Sequence, residues 1–317
     1  MRSSTFTIDR DSERLFVYRW LPDEGVAVRG VVHVSHGMAE HAARYAPLAE
    51  ALTAKGFAVY AHDHRGHGRT AGDPARRGFF AAEHGWRAVV DDLIAVGERA
   101  SSEHPGLPRV LFSHSMGSYM AQQVMWERGS DYAGVVVSGS SSGVSNPLAP
   151  IGRVIARVER WRVGARAPSK LLTKLSFGEF NRKFKPVRTE YDWISRDPAE
   201  VDKYIADAWC GFDVSTQLWI DLLDALPTLA DTANLSRIPK ALPVYVLAGS
   251  DDPVNESLKA LHMLVKSWND AGLRDITWKV YEKGRHEMLN EINRGEVIAD
   301  VTRWIERVTP SQQAVSA

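Results

Sequence analysis

What most constrains the fold of this chain is an alternation. Short runs rich in β-branched and apolar residues are separated by longer segments whose apolar positions recur about every 3.6 residues, the pattern of strands joined by crossover helices in a largely parallel sheet. The predicted strands are residues 14–20 (RLFVYRW), 30–37 (GVVHVSHG), 57–63 (FAVYAHD), 109–114 (RVLFSH), 134–139 (GVVVSG), 242–249 (LPVYVLAG) and 276–282 (ITWKVYE). Helices are predicted at 42–56, 86–101, 116–127, 256–271 and 295–308, the first closed by Gly56. The rhythm breaks between about 140 and 232, where Trp, Arg and Pro accumulate without strand spacing. That interval reads as a helical insertion over the sheet. At 317 residues the chain suits one large α/β domain or two ordinary ones. The division predicted is a core of 1–140 with 233–308, an insertion of 141–232, and a disordered tail of 309–317.

Composition narrows the function classes. Lys plus Arg and Asp plus Glu number 39 each, so no global field draws the chain to nucleic acid. Cys210 is the only cysteine and cannot form an intrachain disulfide, which fits a reducing compartment. The first twenty residues lack a signal-peptide core, and no apolar run approaches the roughly 20 residues that span a bilayer. These features predict a soluble, cytoplasmic protein.

Chemistry concentrates in VLFSHSMGSY, residues 110–119. A buried run leads into Ser113-His114-Ser115-Met116-Gly117 and then a helix, the context of a nucleophile elbow, although Ser113 replaces the usual first glycine. A serine hydroxyl needs a base to take its proton and an acid to orient that base. In the hydrolase topology the acid follows a late strand and the histidine follows the last one. VLAGSDDPV supplies Asp251 and Asp252, and VYEKGRHEMLN supplies His286. Acyl transfer also needs two oxyanion donors. The residue after the nucleophile, Met116, provides one backbone N–H, and Met38, after the strand-end His36-Gly37, provides the other. HEMLN lacks the second histidine of a zinc-binding HExxH helix. The cluster HDHRGHG (His62, Asp63, His64, His67) has zinc-compatible side chains without a zinc spacing, and reads as a loop at the sheet edge. No metal or cofactor is expected.

Taken in order, HGMAEHAARY, DHRGHGRT, HSMGSYM, GSDDPV and RHEMLNE resemble the monoacylglycerol lipase and lysophospholipase group of α/β-hydrolases, a serine aminopeptidase-like family, across residues 10–308. The resemblance implies an eight-stranded, mostly parallel sheet flanked by helices, with a helical lid between the sixth strand and the acid. It selects Asp252 over Asp251, and implies Ser115 as nucleophile, His286 as base, and Met38 and Met116 as oxyanion donors. The expected substrate is a small ester or single-chain lipid. Rival readings are lactonase, aminopeptidase, short-chain esterase and, in a different class, a non-catalytic receptor. Two departures stand out: Ser113 at the elbow, and Met38-Ala39 where the group often has Ala-Gly.

In the insertion, Ile151, Val154, Ile155, Val158 and Trp161 share one helical face flanked by Arg153, Arg157 and Arg160. Such a helix can lie on an anionic membrane or pack that face inward with its arginines in water, and the second arrangement is the one expected. Phe177, Phe180, Trp193, Trp209 and Trp219, with Trp161, are expected to form the insertion's core rather than an acyl tunnel. The sequence leaves the oligomeric state open.

Overall fold

A computed structural model describes residues 1–11, 13–143 and 149–310. Eight strands form one sheet in the order β1-β2-β4-β3-β5-β6-β7-β8. They are β1 (Arg2–Arg10), β2 (Glu13–Leu21), β3 (Gly30–Ser35), β4 (Phe57–His62), β5 (Arg109–His114), β6 (Gly134–Ser138), β7 (Val244–Gly249) and β8 (Ile276–Tyr281). β1 pairs with β2 and β2 with β4 antiparallel, and every other neighbour is parallel. The central strands β3 to β7 are buried at every position, which explains why they read as unbroken apolar runs rather than alternating ones.

Helices cover both faces. On one side lie α1 (Ala46–Thr53) and the last helix of the fold; on the other lie α2 (Gly85–Glu103) and α3 (Met116–Arg128). Between β6 and β7 runs the insertion, with α4 (Ala149–Val163), α5 (Lys170–Phe177), α6 (Pro198–Ala206) and α7 (Thr216–Ala225). The chain closes with α8 (Lys259–Asp270), whose Leu261, Leu264 and Trp268 join the same buried cluster as α3, and α9 (Arg294–Val308), whose Val297, Val301 and Ile305 pack with Leu48 and Leu52 of α1. Among the described residues no helix is long and apolar enough to cross a membrane.

The expected strands and core helices are present, with boundaries moved by a few residues. Two expectations need correction. The basic helix does not pack its predicted face inward: Ile151, Val154, Val158 and Trp161 are 56, 60, 58 and 88% exposed. The inward row of α4 is instead Ile155, Ala156 and Glu159, with Glu159 accepting from Ser169 Oγ at 3.1 Å. An apolar count alone could not distinguish these neighbouring faces. The predicted tail also starts too early, because Thr309 is buried and its hydroxyl bonds the Ile305 carbonyl at 2.7 Å; residues 311–317 lie outside the described residues.

The sheet order places the functional loops. Strand order reverses around β3 and β5, so the segments leaving their carboxyl ends diverge and open a crevice, where parallel α/β sheets bind ligands. The segment after β3 is Gly37–Glu40, and the segment after β5 is the Ser115 turn.

Candidate active site

Ser115 caps the start of α3 with φ 51° and ψ −123°, a conformation that costs a non-glycine residue about 1–3 kcal/mol and must be enforced by its surroundings. The enforcing contacts are close. A Cβ on Gly117 would fall 2.4 Å from the His36 carbonyl oxygen and 2.5 Å from that of Ser35, so only glycine lets α3 start this near β3. Ser113 does not crowd the turn. Its hydroxyl points along the sheet and donates to the Val136 carbonyl at 2.8 Å, so serine replaces the family glycine without a lost hydrogen bond.

Ser115 Oγ lies 2.9 Å from His286 Nε2, and His286 Nδ1 lies 3.1 and 3.0 Å from the two Asp252 oxygens. Asp252 is 1% exposed and His286 3%. Asp252 also accepts the Val254 N–H at 2.9 Å, which fixes the carboxylate, while Asp251 turns outward to Lys183 at 2.6 Å. The geometry therefore separates the two aspartates that spacing left open. Burial by itself would depress the imidazole pKa, but the charge and hydrogen bond of Asp252 outweigh it and hold His286 above its usual value. Because a base works only unprotonated, kcat/KM is expected to rise along an acid limb centred above about pH 6.5. A limb centred below pH 6 in a full pH-rate profile would contradict this assignment.

Met116 is the first residue of α3, so its N–H has no acceptor within the helix. Met38 lines the same cleft as Ser115, and the preceding Gly37 is so close that an added Cβ would sit 3.2 Å from Ser115 Cβ. Ala39 adopts φ 52°, the left-handed region in which glycine is at ease, so the Ala-for-Gly departure is accommodated at a cost. Its carbonyl is held by Tyr204 Oη at 2.9 Å and by the Gly211 N–H at 3.0 Å, both from the insertion.

A cleft lies over Ser115. Its floor is Gly37, Met38, Ser115 and His286, and its walls are Phe177, Trp193, Phe212, Val214 and Trp219 of the insertion. The expectation that these aromatics serve only the insertion's core is corrected here. Phe177, Trp193 and Trp219 stack on one another or on shared neighbours and also line the cleft. Trp193 packs on the His286 ring at 5.1 Å, and its carbonyl accepts the His286 N–H at 3.3 Å. Trp161 lies far from this role, on the solvent face of α4.

The HDHRGHG histidines are buried and engaged internally. His64 Nε2 meets the His36 carbonyl at 3.1 Å, and His67 Nδ1 meets that of Arg65 at 2.9 Å. Burial pushes His62 down to about 3 and His67 to about 4, so both rings are neutral. Among the described residues a different group, His41, Asp207 and Cys210, has three ligand atoms mutually close enough for a metal. There the His41 imidazole already bonds Asp207 at 2.8 Å.

Known proteins resemble this chain along most of its length. The profile of the family described as serine aminopeptidase, S33, matches residues 26–293. A monoacylglycerol lipase of Mycolicibacterium smegmatis is 30% identical over 90% of this chain and 90% of its own length, and a human monoglyceride lipase is 28% identical over 98% and 92%. Among solved structures, a thermostable carboxyl esterase from Bacillus coagulans superposes with a TM-score of 0.88 at 24% identity, covering 98% of this chain and 99% of its own. A soluble variant of the Saccharomyces cerevisiae monoglyceride lipase superposes with a TM-score of 0.75 at 19% identity, covering 96% of each chain. Those structures share the fold, and with the profile match across most of its length the chain belongs to the serine aminopeptidase S33 family of α/β-hydrolases.

Proposed function

We propose that this enzyme hydrolyses carboxylic esters of single-chain lipids, of the monoacylglycerol or lysophospholipid type, through an acyl-enzyme. The observation that carries the reading is the unbroken series Ser115 Oγ, His286 Nε2, His286 Nδ1 and Asp252 at the base of an apolar cleft. Ser115 attacks the ester carbonyl while His286 Nε2 takes the hydroxyl proton. Met38 and Met116 N–H groups receive the charge that develops on the carbonyl oxygen. His286 then delivers the proton to the departing alcohol, Asp252 holds the imidazolium through Nδ1–H, and water repeats the cycle on the acyl-enzyme. The related lipases support the choice of substrate class, and the aromatic walls supply an apolar surface for an acyl chain.

The family description suggests an aminopeptidase as the alternative, which would need a free carboxylate in the cleft for the substrate ammonium. The cleft-lining carboxylates Glu40 and Glu287 are instead engaged by Arg44, with further bonds from Tyr45 and Asn290, which favours the ester reading.

In this reading residues 141–232 act as a lid on the core of 1–140 and 233–308. Its outer surface contacts lipid through Ile151, Val154, Val158 and Trp161 of α4 and the exposed Leu171 and Leu175, with Arg153 and Arg160 alongside for anionic head groups. The buried, free thiol of Cys210 supports a reducing compartment, and a cytoplasmic location is part of this proposal.

Initial rates on glycerol monoesters of increasing chain length, soluble and vesicle-borne, test both parts. Rates are expected to depend on chain length, and Val158→Asp with Trp161→Asp is expected to slow only the vesicle-borne series, by about tenfold. Absence of hydrolysis at every length would discard the substrate class. Equal slowing of both series would discard the membrane contact.

A further inference from the structure

Glu40, Arg44 and Glu287 form a buried ionic group that the hydrolytic steps above do not use. Glu40 and Glu287 are 3 and 7% exposed, and the Arg44 side chain is 13% exposed. Arg44 Nη1 donates to Glu40 Oε2 at 2.7 Å and to Glu287 Oε1 at 2.9 Å, and its Nη2 donates to Glu287 Oε2 at 2.6 Å. Burying three ionised groups is expensive, and an apolar replacement of the same shape is often as stable or more so. Stability alone is therefore a weak reason for this group to sit here.

Its remaining contacts lead to the reacting atoms. Glu40 Oε1 accepts the Gly37 N–H at 2.5 Å and the Tyr45 hydroxyl at 2.8 Å. The other side of Gly37 is held as well. His36 Nε2 receives the backbone N–H of His64 at 2.9 Å, so Nε2 is unprotonated, the proton of the neutral ring is on Nδ1, and Nδ1–H donates to the Gly37 carbonyl at 2.8 Å. In a trans peptide the Met38 N–H points opposite that carbonyl. Holding both polar groups of Gly37 thus aims the Met38 donor before substrate arrives. At the far end, Glu287 directly follows His286, and its N–H donates to the Ile194 carbonyl at 2.8 Å.

We propose that Glu40, Arg44 and Glu287 are positioning residues that hold the Met38 oxyanion donor and the His286 base in one frame. The proposal rests on the ester-hydrolase reading. The unit has a second, electrostatic effect. Two carboxylates and the Arg44 guanidinium leave a net negative charge beside His286, adding to Asp252, while the buried His114 ring packed against it is neutral. Loss of one carboxylate charge lowers the stability of the imidazolium and moves the acid limb to lower pH.

The test measures the rate at which a fluorophosphonate labels Ser115, across pH, which needs no assumption about the natural ester. Glu40→Gln and Glu287→Gln are each expected to slow labelling about tenfold, as is usual for a unit whose members act together, with the double variant little worse than either single. Both should move the acid limb to lower pH. On a monoester substrate kcat should fall while KM stays within about twofold. Arg44→Lys, which keeps the charge but loses the fork, is expected to slow labelling without moving the limb. Unchanged labelling rates, or slowing that is strictly additive with an unmoved limb, would overturn the proposal. If wild-type labels rapidly but cleaves no monoester, the substrate reading fails while the positioning test still stands.

Discussion

Ser115→Ala is expected to lower kcat by about 10⁴ to 10⁶, with KM changed little, because the substitution removes the nucleophile while leaving the cleft intact. The loss should not deepen when His286→Ala is added, since the base has no remaining partner to activate and members of such a unit are strongly non-additive. Folding should be unaffected: Ser115 is only half-buried, and its hydroxyl makes its bond to His286 rather than to the fold. The check is kcat and KM on the longest monoester that stays soluble, with mass spectrometry of the wild type to detect the acyl-Ser115 adduct. Hydrolysis by a pure Ser115→Ala preparation at more than about one hundredth of the wild-type rate would remove Ser115 from the mechanism.

The second large effect is expected at a residue that touches no substrate. Gly249 ends β7, and a Cβ placed there would lie 2.0 Å from the Gly284 carbonyl oxygen and 2.2 Å from its carbonyl carbon. Those atoms are backbone and cannot rotate aside. They belong to the loop that leads into His286, and the same Gly284 oxygen accepts the Asp251 N–H at 2.9 Å. Gly249→Ala must therefore push the loop carrying the acid away from the loop carrying the base. A displacement near 1 Å is expected to cost about 10²-fold in kcat. The overpacking is expected to cost about 3 kcal/mol, which for a domain of this size is a fall in Tm of about 4–5 °C. Kinetics and a thermal melt on the same preparation check both, and a wild-type melt would show that the two loops can separate freely.

Much of this was legible in the sequence because the relevant signals are local. Ser115 announces itself by a strand, a small-residue turn and a helix within ten residues, and His286 by its place after the last strand. Asp252 needed more. Asp251 and Asp252 are adjacent and chemically alike; spacing leaves them equal, the family resemblance selects Asp252, and the fold shows the physical difference by turning one to Lys183 and the other to His286. The edge strand β1 was missed although Phe6 and Ile8 alternate with polar neighbours, since an edge strand needs only its inward residues to be apolar. The Glu40–Arg44–Glu287 group was illegible for a different reason. Arg44 and Glu287 stand 243 positions apart, and no period or spacing links an ion pair closed by tertiary structure. The solvent-facing row of α4 was misplaced because helical periodicity finds an apolar face without saying what it faces.

The contacts of residues 191–212 set a limit on how the insertion can be exchanged. Arg196 pairs with Glu291 at 2.8 Å, Arg294 with Asp197 at 2.8 Å, and Ser195 Oγ bonds the Asn290 carbonyl at 2.7 Å. Trp193 and Ile194 carbonyls hold the backbone of His286 and Glu287, while Tyr204 and Gly211 hold Ala39. This half of the insertion is wired into the catalytic apparatus. The half that carries α4 and α5 meets the hydrolase core through fewer ties, such as Lys183 to Asp251 and Arg166 over the Phe79 ring. A chimera grafted at 149–184 would import a relative's outer surface, together with the cleft-wall positions of Thr173 and Phe177, and leave the contacts of residues 191–212 in place. One that replaced the whole stretch would need the donor's oxyanion loop and histidine loop to travel with it.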